Sequence, residues 1–274
     1  MPTPTPLFIA IDANVRQGTS AFVHTVRLAK RQVAINRPAE VAVTERLAAL
    51  LLAAQYEGRL HWLLNHPDSR LSPSDISAIR KTRGLAAKWE ELLRTSLAMR
   101  KSTQGGRPCK PHDIPAALNK VERRRYNEIN RFNRDHLNPL IDIRNSLAHG
   151  EWNTALTKAA DGINSDRSVR LRSITLFRVV ILANMLDHLW RAHFDAQVTY
   201  YAFERDFDCH YRGMANASRR LERADEARWL EVMRHRYKGG RKARIELGTP
   251  PQVWWWRSGP AGHELLSTGF RHES

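Results

Sequence analysis

The sequence predicts an all-α protein, a bundle of four to five long helices with an irregular, basic C-terminal appendage. Three observations carry that prediction. Apolar residues recur at intervals of three and four, as in Ile174, Phe177, Ile181, Met185 and Leu189, the spacing that lines one stripe of a helix. Start and stop signals punctuate the chain: Ser72-Pro73-Ser74-Asp75 and Asn138-Pro139 open helices, and Gly150 closes one. No internal repeat and no low-complexity tract stands beyond the opening Thr-Pro residues.

The elements follow in order. Residues 1–37 form an N-terminal segment in which Leu7 to Ile11 reads as a short strand. From Pro38 the chain is rich in Ala and Leu, and Leu47, Leu50, Ala54 and Leu60 to Leu64 fit a long helix ending near Asn65-His66-Pro67. The Ser72 cap opens a second helix, carried by Ile79, Leu85, Trp89, Leu92 and Leu93 to about Met99. A Gly- and Pro-rich loop is expected over 101–113. The next helix begins near Pro115, turning Leu118, Val121, Ile129 and Phe132 inward and Arg123, Arg124, Arg125, Arg131 and Arg134 to its other sides. Asn138-Pro139 then supplies a cap and a first-turn proline, so a new helix or a kink starts there. After the polar loop TKAADGINSD, the pattern from Ile174 through Phe194, Val198 and Tyr201 predicts a helix longer than thirty residues. The bundle proper therefore spans 38–212. Residues 213–274, with less regular apolar spacing and the run TPPQVWWWRSGP, form the appendage.

Charge speaks about partners rather than fold. The 44 Lys and Arg against 28 Asp and Glu leave a net charge of +16, which favours polyanions and above all nucleic acid. A surplus of nine cations lies between Ser77 and His136, and a second basic run occupies 216–247. Two cysteines, Cys109 and Cys209, make neither a disulfide framework nor a zinc quartet and suit a reducing cytosol. The N-terminus lacks the charged region of a signal peptide, and the most apolar stretch, Leu47 to Tyr56, is too short to span a bilayer. The expectation is a soluble, cytoplasmic protein that needs no membrane.

The stretch IDIRNSLAHGEW, residues 141–152, concentrates chemistry. With one hundred degrees per residue, Leu140 and Leu147 fall within about sixty degrees of Ile143 and form the inward stripe. Asn145 and His149 stand together roughly opposite it, with Asp142 on the same side and Arg144 at the flank. A stop at Gly150 leaves His149 in the last turn, where the helix dipole favours a cation. A guanidinium beside an imidazole able to hold and release a proton suits phosphate chemistry near neutral pH.

This spacing, Arg-Asn-Ser-Leu-Ala-His, resembles the R-x4-H motif of the HEPN superfamily, whose members usually carry a polar residue after the arginine. The resemblance extends as a helix pattern over about residues 40–205 and is most specific at the six positions 144–149. It implies a four- to five-helix bundle that dimerises to face two motifs across a cleft. It further implies a metal-independent endoribonuclease of the toxin–antitoxin, abortive-infection or antiviral type, with no cofactor. Carried over residue by residue, His149 would act as base on the ribose 2′-hydroxyl or as acid on the leaving 5′-oxygen. Arg144 would stabilise charge on the phosphorus oxygens, and Asn145 would orient phosphate or imidazole. Asp142 is added as a supporting partner for His149, and the arginines at 123, 124, 125, 131 and 134 as RNA contacts. The chain departs from the pattern at Glu151, where toxins silenced by a nucleotidyltransferase antitoxin carry tyrosine. Control by modification of that tyrosine is therefore not expected, although another regulatory partner or antitoxin is.

Other clusters carry less. His188 and His193 are five apart, not the four that places two metal ligands on one face. Asp206, Asp208, Cys209 and His210 lack a second ligand pair. Lys238-Gly239-Gly240-Arg241-Lys242 lacks the strand and hydroxyl residue of a phosphate loop, leaving backbone contact or a solvated turn open. Trp254-Trp255-Trp256 can stack bases or dock the tail, and burial favours docking. The rival class is a catalytically inactive HEPN-like RNA- or protein-binding adaptor. DNA binding through 216–247 ranks last, for want of a helix-turn-helix pair.

Overall fold

Thr5 decides how the chain begins. Its hydroxyl accepts the Phe8 amide at 3.1 Å and Pro6 sets the first helical φ, so α1 runs Pro6–Ala34 in the computed structural model. The strand expected at Leu7–Ile11 is helix instead, because the cap is followed by a long apolar stripe, Val15, Phe22, Val26, Ala29 and Val33. The structure describes residues 3–105, 108–157, 159, 161–198, 200–223 and 225–238. Asn36, at φ 56, closes α1 in a left-handed turn, and α2 (Pro38–Leu64) folds back along it. The two are stitched at both ends, by Thr44 to Gln32 at 2.8 Å and by Trp62 Nε1 to Asp12 at 3.0 Å.

The second predicted helix is two. Ser72 and Asp75 form a reciprocal capping box that opens α3 (Pro73–Lys81), and Gly84 at φ +90 separates it from α4 (Leu85–Gly105). Helix α4 continues past Met99 to Gly105 and takes up the first residues of the expected loop; a 3₁₀ turn Pro111–Asp113 and the short α5 (Ile114–Ala117) follow. A fresh cap at Asn119, boxed with Glu122, resets the helical phase at α6 (Lys120–Phe132). The buried stripe is therefore Glu122, Tyr126, Ile129 and Phe132, and Val121 is 58% exposed rather than inward.

No new helix is capped at Asn138. Its φ −57 and ψ −49 are helical, and a π-helical turn, Asn133–Leu137, joins α6 to α7 (Asn138–Ala148) without a break. Pro139 has no N–H for the preceding turn, and a locally widened helix accommodates that loss. Beyond a loop with the isolated bridge Leu156–Ile163 come α8 (Ser165–Arg172) and α9 (Leu176–Gln197). The predicted helix of over thirty residues ends at Gln197. Its continuation, α10 (Tyr200–Arg223), turns back along α9, as His210 to Asp195 and Gly213 to His188 show.

The two hairpins, α1–α2 and α9–α10, share one apolar core with α4, α6 and α7. Among the described residues no strand is present, and no described helix is long and apolar enough to cross a membrane. The boundary placed at 212/213 falls inside α10, whose Met214 and Ala217 are buried in that core. The boundary at 37/38 likewise separates α1 from the helix it packs against. Helix α11 (Glu226–Lys238) docks on α1 and α9, with Trp229 edge-on to Phe177 at 5.5 Å. Residues 239–274, including Trp254-Trp255-Trp256 and most of the Lys238–Lys242 turn, lie outside the described residues.

At Gly213 the backbone of α10 lies against the His188 ring of α9. A Cβ there would lie 2.3 Å from His188 Nε2 and 2.4 Å from its Cδ2, so the ring would have to leave the interface. Gly213→Ala is expected to lower stability by roughly 1–3 kcal/mol, the cost of overpacking, despite alanine's better helix propensity. Urea unfolding reads this directly, and a Gly213→Ala/His188→Ala double variant should recover part of the loss. A single variant as stable as the parent would show that the ring moves freely.

Candidate catalytic face on α7

Helix α7 buries Leu140, Ser146 and Leu147 and leaves its other face to solvent. Its end is set by Gly150 at φ +82. The Glu151 amide reaches back to the Ser146 carbonyl at 2.9 Å and the Gly150 amide to Leu147 at 3.2 Å, a Schellman closure that only a left-handed residue allows cheaply. His149 is thereby the C-terminal cap residue, exposed, with φ −90 and ψ 9. Its ring makes no hydrogen bond to a described residue.

Arg144 is held from two sides. Its Nη2 pairs with Glu57 Oε2 of α2 at 2.9 Å, and its Nη1 donates to Asn145 Oδ1 at 3.1 Å. Both partners of the ion pair remain about two-fifths exposed, so the guanidinium is oriented without being sealed from a ligand. An arginine has five N–H donors in a fixed fork, and those left over can meet a phosphate. Arg144 and Asn145 are therefore joined on the accessible side of α7, with Glu57 reaching the arginine from α2, and His149 stands exposed about one turn further on, at the helix end. Sequence reasoning missed Glu57. It lies 87 residues upstream of Arg144, and nothing local to either segment announces the pairing.

Asp142 does not serve His149. Its carboxylate pairs with Arg170 of α8 at 3.7 Å, and no hydrogen bond joins it to His149 among the described residues. A free cation on the neighbouring helix wins the aspartate that a helical wheel alone assigns to the histidine. Glu151, in the position of the family tyrosine, accepts the Leu156 amide at 3.2 Å and ties down the loop after the motif. Its carboxyl is held below the usual range, chiefly by the neighbouring Ser146 hydroxyl and less by that amide.

The five arginines expected to meet RNA divide. Arg125 is a structural residue: it pairs with Glu204, which also binds Arg100, and lies over the Phe207 ring at 5.1 Å. Arg131 pairs with Glu128 at 2.7 Å, and Arg134 with Asp135 at 2.8 Å, both on the surface. Arg123 and Arg124 are exposed and have no carboxylate partner among the described residues.

Elsewhere, His193 is buried against Trp89 at 4.8 Å, whereas His188 faces His210 at 5.9 Å. The two histidines thus have different neighbours. Among the described residues no group of three or more His, Cys, Asp or Glu side chains is placed to hold a metal ion. The chain was compared with protein-family models, curated proteins and solved structures, and none matches it.

Proposed function

We propose that the protein is an endoribonuclease of HEPN type that cleaves RNA by 2′-hydroxyl attack and acts as a toxin or antiviral-defence effector. The observation that carries this reading is the exposed edge of α7, where a guanidinium oriented by Glu57 and Asn145 shares the final turns with an accessible imidazole. In the reaction, His149 removes the proton from the 2′-hydroxyl, whose oxygen attacks phosphorus. The bond to the 5′-oxygen breaks, and that oxygen leaves with a proton. Products are a 2′,3′-cyclic phosphate and a 5′-hydroxyl. Arg144 meets the negative charge that gathers on the non-bridging oxygens. As the resemblance to the HEPN motif implies, a second copy of the chain brings its own His149 across a dimer cleft and protonates the leaving 5′-oxygen. The basic surface supports an RNA substrate, and a cytoplasmic effector of this kind needs a regulatory partner or trigger to spare its host.

The experiment is cleavage of end-labelled RNA in excess EDTA, followed by analysis of the fragment ends. Cyclic-phosphate and 5′-hydroxyl ends are expected, with no cutting where the scissile nucleotide carries a 2′-deoxyribose. Fragments bearing 5′-phosphate would refute the 2′-hydroxyl route. One observation favours the rival reading, an inactive RNA- or protein-binding adaptor: among the described residues no hydrogen bond orients the His149 ring, which meets only the charge of Glu151. That reading requires RNA or protein binding with no cleavage under any condition.

A further inference from the structure

We infer that the start of α6 carries a second RNA-phosphate subsite, remote from His149, which anchors the strand and gives the enzyme a minimum substrate length. The inference rests on the ribonuclease reading above and adds a place and a distance to it. Lys120, Arg123, Arg124, Asn127 and Glu128 line an open groove of about 400 Å³. Three of the five are exposed cations within the first turn and a half of the helix.

Folding alone does not explain that arrangement. Cations sit unfavourably at the positive end of a helix, and like charges at i and i+4, here Lys120 and Arg124, repel. Acids that could neutralise them are engaged elsewhere. Glu122 folds back onto the Asn119 amide at 2.9 Å and pairs with Lys101 at 2.6 Å. Glu128 pairs with Arg131 at 2.7 Å. No carboxylate pairs with Lys120, Arg123 or Arg124 among the described residues.

One of the three is also pre-set. Arg123 Nη2 donates to the carbonyls of Leu118 at 3.1 Å and Ala116 at 3.4 Å. These bonds fix the guanidinium at the groove without neutralising it, and its remaining donors stay free. An oriented, uncompensated guanidinium flanked by two more cations and an amide is built to receive phosphate oxygens. The charge is concentrated beyond what one small anion would neutralise, and a run of phosphodiesters matches it.

The groove and the catalytic face lie on one helical path, since α6, the π turn and α7 are continuous from Lys120 to Ala148. Arg124 and His149 are separated along it by about 37 Å at 1.5 Å per residue. A stacked strand advances about 3.4 Å per nucleotide, so roughly ten nucleotides bridge the two sites. A shorter RNA reaches only one of them.

The test measures RNA affinity by fluorescence anisotropy, separately from cleavage, using a 6-nucleotide and a 20-nucleotide single strand. The variant is Lys120→Gln/Arg123→Gln/Arg124→Gln. A control removing equal charge from the exposed positions Arg27, Arg31 and Arg178 accompanies it. For the 20-mer, the groove variant should bind at least tenfold more weakly than the control, with a log-affinity salt slope shallower by about two. The 6-mer, which cannot bridge the two sites, should lose less affinity in the groove variant than the 20-mer does. Lys120→Gln/Arg124→Gln, which spares the Arg123 bonds to Leu118 and Ala116, should melt at or above the parent temperature, because repulsion has been relieved. Equal 20-mer affinity in groove variant and control would overturn the inference. Length-dependent binding by a protein that never cuts RNA would uphold the subsite and sink the nuclease reading. Cleavage with the same efficiency at both lengths, unchanged in the groove variant, would do the reverse.

Discussion

Truncating His149 to alanine is expected to lower RNA cleavage by about 10²–10⁴-fold, the range for losing a positioned general acid or base. Affinity for the same RNA should change little, because the imidazole stands at the exposed end of α7 and carries neither fold nor charge cluster. Arg144→Ala should cost about 10²–10³-fold in the cleavage step, the usual loss of one donor to a developing oxyanion. It also leaves Glu57 without its partner and Asn145 without its donor. Both effects are measured in single-turnover cleavage alongside anisotropy, so that chemistry and binding are read separately. Arg144→Lys is not a conservative rescue. A single ammonium cannot hold Glu57 and Asn145 at these distances and still present a fork to phosphate, so its cleavage should lie nearer to the alanine variant than to the parent. The decisive pattern is loss of cleavage in both truncations with binding retained. Cleavage surviving in both would reduce residues 141–152 to a surface helix, whatever the protein's true activity.

Which parts of this structure the sequence reveals follows from how local each cause is. The end of α7 was legible because Gly150 acts through its own φ and the amides beside it. The Ser72 start was legible for the same reason, a cap satisfied within three residues. Local signals misled where two competed. Leu7 to Ile11 looks like a strand until the Thr5 cap and the stripe running to Val33 are weighed together. Val121 was assigned inward by extending one helix from Pro115, when the cap at Asn119 starts a new phase. The candidate site repeats this division. That Asn145 and His149 stand together on the solvent side of a helix, with Arg144 at its flank, follows from periodicity alone. That Glu57 orients the arginine, that Arg170 takes Asp142, and that Glu204 removes Arg125 from the RNA-facing set are tertiary pairings. Each joins segments whose neighbourhood no local pattern records.

Acid should unfold this protein along a path set by three buried groups. Burial pushes His193 down to about 3 and His188 down to about 4, the latter despite the opposing pull of Asp187 and with some help from His210 and Arg191. Both ring nitrogens of His193, and Nδ1 of His188, are buried without hydrogen-bond partners, so neither ring has a ready place for a charge. Glu45 works the other way. Burial pushes its carboxyl up to about 7, with the Leu176 amide opposing and Glu226 of α11 adding. Between pH 6.5 and 4.5 the unfolded chain therefore binds two extra protons on the histidines, while the folded chain holds one extra on Glu45. On these three groups the difference is about one proton bound in favour of unfolding, and His136, which burial also pushes down, adds to it, so stability should fall by roughly 1 kcal/mol or more for each pH unit of acidification. Below pH 4.5 Glu45 is protonated in both states and its offset disappears. There Asp187 and Glu204, whose folded carboxyls lie below their ordinary values, add to His193 and the slope steepens. Urea unfolding at several pH values between 4.5 and 6.5 separates the contributions. Glu45→Gln removes the offset and should steepen the slope by roughly 1 kcal/mol per unit. His193→Phe keeps an aromatic ring against Trp89, removes one proton site and should flatten the slope by a similar amount. Identical slopes in the parent and both variants would mean that these groups do not govern the acid limit, and that the buried rings find proton acceptors when the fold loosens.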